Sequence, residues 1–189
     1  MKKIKTPGWV TGVGIIAIVL SGFGVMGGIQ EALTPIMIEA QRADFEIIIE
    51  ELGSIPTDDV ATTAEEQQIL NILSIFTGFI EKILNMPEWY LNWLVLSGFL
   101  STLINGLYLF SAIWLLQLKT QAPKYLTIAL PLSIALGITR TVMAVKAFDT
   151  IALFVMGGTI IAIIIEIILL MIVLVKDKSA FNPLTDEAV

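Results

Sequence analysis

Five side chains in this chain could do chemistry in apolar surroundings: Glu166, Arg140, Tyr108, Asn105 and Ser133. Glu166 is the most exacting of them. Three isoleucines precede it and Ile-Ile-Leu-Leu follows it, within an apolar run over residues 151–175. Roughly 20 apolar residues cross the hydrocarbon core of a bilayer, so this run is long enough to span. A charged group at that depth costs about 2.5–3.5 kcal/mol on insertion scales, which makes an intramembrane carboxyl a functional-site candidate by default. Three roles suit it: a neutral acid held by an internal hydrogen bond, a site for a proton or cation, or a contact with a partner subunit.

Helix rise decides which groups can meet it. Counted from the turn near 146–149 at 1.5 Å per residue, Arg140 lies roughly 10 Å below the outer surface and Glu166 roughly 25 Å below it. An arginine cannot close that difference, so the two do not form a direct pair within one chain. Arg140 is expected to reach toward the outer headgroups, Asp149 or a carboxylate of the segment outside the bilayer. Tyr108 and Ser133 fall near the depth of Glu166, beside the small Ala17. A hydrogen bond from one of them is the structural explanation for the acid. Burial in hydrocarbon favours its uncharged form.

Composition narrows the function classes. The 189 residues are 56% hydrophobic and 15% charged, with a mean hydropathy of +0.87, values of a membrane protein with a single domain. Cysteine and histidine are absent. No disulfide, thiol relay, histidine-ligated haem or thiolate zinc site can form within the chain, and no metal or cofactor site is expected. No nucleophile and base share a motif or a depth, so the chain reads as non-enzymatic. The net charge is −6, and residues 29–88 hold twelve carboxylates against Arg42 and Lys82. That segment offers no basic patch for nucleic acid.

The elements that must position these side chains are four spans, at residues 9–28, 90–118, 125–144 and 151–175. The expected fold is therefore an all-α integral membrane protein. Lysines 2, 3 and 5, then 119 and 124, then 176 and 178 mark the two termini and the second connection as cytoplasmic. The acidic segment 29–88 and the turn near 146–149 then lie outside, most simply across a bacterial inner membrane. Trp9, Trp89, Trp93 and Trp114 fall near the proposed helix ends, as an aromatic belt requires.

Residues 65–86 carry an apolar stripe at three- and four-residue steps through Ile69, Ile72, Leu73, Phe76, Phe79, Ile80 and Ile83. Thr62 and Thr63 suit a capping box and Pro87 a stop. With the weaker stripe of residues 31–52 and a turn over 53–59, the segment reads as a helical hairpin between spans one and two. The polar tail 176–189 reads as mobile from Asp177 onward.

Each span also shows a small or polar stripe. Gly14, Ala17, Ser21, Gly24 and Gly28 make one on span one, with a GxxxG match over residues 24–28. Ser97, Ser101 and Asn105, continued by Tyr108, make one on span two. Ser133, Gly137 and Arg140 lie on span three, and Gly158, Ala162 and Glu166 on span four. Such faces suit close helix packing, either within one chain or between subunits. The sequence thus points first to a membrane subunit or scaffold that works in the lipid bilayer, by self-association or with other membrane subunits. The alternative is a channel or a proton- or cation-coupled transporter that uses Glu166.

Overall fold

A computed structural model describes residues 6–53, 64–148 and 156–181. Among these the chain is all-helical, with five α-helices: α1 (Gly8–Gly53), α2 (Ala64–Leu84), α3 (Glu88–Leu116), α4 (Ala122–Phe148) and α5 (Gly157–Val175). A 3₁₀ turn, Ser179–Phe181, follows. The chain divides into two compact units, Met1–Ala32 with Leu96–Val189 and Leu33–Val95.

Four helices, α1, α3, α4 and α5, are long and apolar enough to cross a membrane. Only 17–33% of their apolar windows is buried within the fold. Large side chains such as Phe23, Leu103, Phe110, Ile164 and Met171 are exposed. Faces of that kind are stable in lipid, where their exposure carries no hydrophobic penalty.

The helix of the first span and the first arm of the expected hairpin are one: α1 runs without a break past residue 28 to Gly53, 46 residues in all, with Pro35 inside it. The glycines at 27 and 28 lower helix propensity by only about 1 kcal/mol each, and no residue between 28 and 34 breaks the helix. The fourth span is described only from Met156. The turn over 54–59, the capping threonines Thr62 and Thr63, Lys2, Lys3, Lys5, Asp149 and residues 182–189 lie outside the described residues.

In the unit Leu33–Val95, Arg42 donates to the carbonyl of Leu84 at 3.3 Å and faces Glu39 and Glu46 on its own helix. Pro87 marks the boundary between two helices. Its ring cannot continue α2, and its carbonyl accepts the first hydrogen bonds of α3 from Tyr90 and Leu91 at 2.9 and 3.1 Å.

In the larger unit, α3 ends in a turn in which Lys119 N–H bonds to the carbonyl of Trp114 and Leu118 adopts φ 55°. That is the Schellman pattern, here with leucine in the left-handed position that glycine usually takes. A core of Val10, Val13, Ala17, Tyr108, Leu115, Leu126, Leu130, Leu169 and Val173 fills the space near this turn. Phe181 is buried in the same core, with its ring 6.0 Å from that of Trp9. The start of the tail is thus docked rather than loose. Asp177 caps the turn by accepting from the backbone N–H and the hydroxyl of Ser179, at 3.0 and 2.7 Å. These bonds hold the Asp177 carboxyl below the usual carboxylate range.

Small residues set the approach of α1 to α3. A Cβ on Gly98 would stand 2.5 Å from the backbone nitrogen of Ala32 and 2.6 Å from the carbonyl oxygen of Gly28. A Cβ on Gly28 would meet Thr102 Oγ1 at 2.8 Å, and one on Gly24 would collide with the Asn105 amide. Backbone cannot yield as a flexible side chain can. Gly98→Ala is therefore expected to destabilise the protein by about 1–3 kcal/mol. Gly12→Ala, whose Cβ would meet nothing within 4 Å, is expected to leave stability unchanged or slightly raised. Thermal unfolding of both variants in the same detergent checks this; equal midpoints would show that the backbones are not in close contact.

Candidate functional site: a polar cavity among the apolar helices

The polar residues of α3 stand four apart, so Ser97, Ser101 and Asn105 share one face of the helix. Each is buried. Against this face, α1 presents Glu31 and α4 presents Arg140, which form an ion pair through Arg140 Nη2 and Glu31 Oε2. Glu31 Oε1 accepts from Arg140 Nε at 3.2 Å and from the Ser97 hydroxyl at 2.6 Å. Arg140 Nη1 donates to Ser101 Oγ at 3.3 Å. Ser101 donates in turn to the carbonyl of Gly24 at 3.3 Å, and the Asn105 amide donates to the Ser101 carbonyl at 2.9 Å. Three helices are cross-linked by charge-assisted bonds, which are roughly twice as strong as neutral ones.

Glu166 lies apart from this network. It is only 5% exposed and accepts a hydrogen bond from the Ser133 hydroxyl at 2.8 Å. Arg140 pairs with Glu31, and among the described residues no cation pairs with Glu166. Of the two hydroxyls near its depth, Ser133 holds the acid. The Tyr108 hydroxyl, fully buried, has no hydrogen-bond partner among the described residues.

A cavity of about 380 Å³ lies between the network and the acid. Its walls come from Leu20, Phe23, Gly24 and Gly27 of α1, Asn105 of α3, Ser133, Leu136, Gly137 and Arg140 of α4, and Gly158, Thr159, Ala162, Ile163 and Glu166 of α5. Such a volume falls within the roughly 300–1,000 Å³ of small-molecule sites. The stripe Gly158, Ala162, Glu166 thus becomes one wall of the cavity. A Cβ on Gly158 would meet nothing within 4 Å, so this glycine leaves space instead of admitting a neighbouring helix. The small face of α1 behaves differently: Gly14, Gly24 and Gly28 are closed by Leu116, Asn105 and Thr102 of α3. Ala17 and Ser21 are fully buried, and Ser21 donates to the Ala17 carbonyl at 2.6 Å.

Of the residues singled out in the sequence, Glu166, Arg140, Asn105 and Ser133 come together on the cavity and Tyr108 lies in the adjoining core. Glu31 is the functional residue that the sequence did not single out. It stands three residues beyond Gly28, on the same face as Gly24 and Gly28 once the helix continues. Among the described residues no cluster of three acidic side chains suited to a metal ion occurs. No protein-family model, curated protein or solved structure matches this chain.

The largely sheltered pair gives a direct test of the network. Arg140→Met removes one charge and leaves Glu31 without its partner, and is expected to destabilise the protein by about 3–5 kcal/mol. The double variant Glu31→Gln with Arg140→Met removes both charges and is expected to recover most of that loss. Ser133→Ala, which removes one interhelical hydrogen bond, is expected to cost about 0.6 kcal/mol. Thermal or denaturant unfolding in detergent measures all three; a double variant no more stable than Arg140→Met would show that the pair is not what the network depends on.

Proposed function

We propose that the chain is a small non-enzymatic membrane transporter or channel in which Glu166 binds and releases a proton or cation within the bilayer. The observation that carries this reading is a cavity of about 380 Å³ with a buried carboxyl on its wall that no lysine or arginine among the described residues pairs with. An acid serving only to join helices needs no free volume beside it. This one has space, and its neighbour Gly158 supports that space. The close contacts of Gly14, Gly24 and Gly28 with α3 also account for the small face of α1 without a second subunit.

The test is flux. In liposomes holding the purified chain and a trapped pH dye, an imposed membrane potential is expected to drive proton movement, and Glu166→Gln is expected to reduce it at least tenfold. Size-exclusion profiles of the two proteins should coincide. Equal flux in both would remove Glu166 from the function.

A second reading, a non-enzymatic subunit or scaffold of a larger membrane complex, draws on α2. Its residues Ile72, Ile75 and Phe76 are more than half exposed, which favours a covering partner for that face. The particle mass measured in the same size-exclusion runs bears on it: a strictly monomeric protein with full flux would remove this reading.

The orientation proposed with either reading places both termini and the α3–α4 turn in the cytoplasm of a bacterial inner membrane, with the acidic residues 29–88 outside. Lys119 and Lys124 flank the turn and Lys176 and Lys178 follow α5, which supports it through the positive-inside rule. The absence of cysteine makes the check clean. A single Thr120→Cys is expected to resist a membrane-impermeant maleimide in intact cells, and a single Glu46→Cys to react; the reverse pattern would invert the topology.

A further inference from the structure

The charges around the cavity do not cancel. Arg140 and Glu31 neutralise each other, and Ser97 and Ser101 complete their hydrogen bonds. Glu166 is then the one ionisable cavity group left without a counter-charge among the described residues. Its surroundings on each packed element are known: Tyr108 on α3 lies within electrostatic range, Arg140 on α4 is engaged by Glu31, and α1 contributes Leu20, Phe23 and its glycines. An ionised carboxylate in such a place needs either a proton or a cation.

The character of the walls selects the cation. A hard metal ion asks for six or more oxygen ligands, and beside Glu166 the cavity supplies few, mainly the Ser133 hydroxyl and the Asn105 amide. Leu20, Phe23, Leu136 and Ile163 instead offer hydrocarbon to an apolar body. The volume of about 380 Å³ is more than ten times the roughly 30 Å³ that one water occupies in the liquid. An anion is disfavoured, because the Arg140 guanidinium already holds Glu31 and Ser101.

From this juxtaposition we propose that the cavity binds a monovalent organic cation with an apolar body, its charge at Glu166 in the place of the proton. The balance is simple: one cation enters and one proton leaves, with no bond made or broken except O–H at Glu166. This rests on the reading of Glu166 as a functional group, and it names the class of ligand that the group takes.

Calorimetry on the purified full chain tests it, with benzyltrimethylammonium as the probe. Tetramethylammonium serves as the cation without an apolar body and benzenesulfonate as the apolar anion. Benzyltrimethylammonium is expected to bind at least tenfold more tightly than either. Its affinity should fall as pH is lowered through the titration of Glu166, and the heat should depend on the buffer's ionisation enthalpy, as proton release requires. Glu166→Gln should weaken binding at least tenfold. Gly158→Val, which narrows the cavity and leaves the carboxyl in place, should weaken benzyltrimethylammonium more than tetramethylammonium. Equal binding of the anion, or binding indifferent to both substitutions, overturns the proposal. Proton flux that depends on Glu166 with no probe bound overturns the ligand class alone. Probe binding through Glu166 without any flux upholds the site and overturns transport.

Discussion

A charge buried among apolar helices is tolerable only with its opposite beside it, and the Glu31–Arg140 pair meets that condition with little latitude. Glu31 on α1, Arg140 on α4 and the hydroxyls of Ser97 and Ser101 on α3 must arrive at one level together. Removing any one member leaves the others short of a partner in a medium that supplies none. The pair therefore fixes the register of three helices. Two packed apolar surfaces could slide by a turn at modest cost, but this polar cluster cannot. Its closeness depends on the glycines: the Ser101 hydroxyl reaches the Gly24 carbonyl at 3.3 Å because no side chain stands between α1 and α3 there.

Much of this arrangement was legible in the sequence, and the reasons differ residue by residue. Hydrophobic run length identified α3, α4 and the described part of α5, because crossing a bilayer imposes a length that few other constraints mimic. Steps of four placed Ser97, Ser101 and Asn105 on one face, and helix rise alone separated Arg140 from Glu166. The unbroken passage of α1 beyond Gly28 was not legible. Hydropathy falls after Gly28, and a fall in hydropathy reads as the end of a span although the backbone has no reason to stop. Glu31 was consequently grouped with the outer carboxylates, when helical continuity puts it on the same face as Gly24 and Gly28. The choice between Tyr108 and Ser133 as the partner of Glu166 was also beyond the sequence, since both lie at a suitable depth and only side-chain direction separates them.

The small residues carry a further lesson. Gly24 and Gly28 on α1 and Gly158 and Ala162 on α5 look alike as patterns, small residues four apart on an apolar helix. On α1 the missing side chains let another backbone approach, so that even one Cβ on Gly98 would press on Ala32 and Gly28. On α5 a Cβ at Gly158 would meet nothing within 4 Å, and the volume stays open beside Glu166. What distinguishes the two cases is the opposing helix. α3 brings its own glycine and short hydroxyls to the contact, whereas nothing stands within 4 Å of a Cβ on Gly158.

These two uses of small residues bear on the chemistry of Glu166. Were Gly158 covered by a neighbouring helix as Gly28 is, the acid would be a neutral hydrogen-bond acceptor sealed against Ser133, with no route for a change of charge. Open volume beside it permits a second state, in which the proton is gone and a positive charge has taken its position. The ion pair next to it limits what that charge can be. Arg140 is committed to Glu31 and cannot swing across to neutralise Glu166, so an internal cation does not quench the acid. Under the proposed function, proton occupancy and cation occupancy exclude each other at a single carboxyl, which is the minimal physical basis for coupling the two.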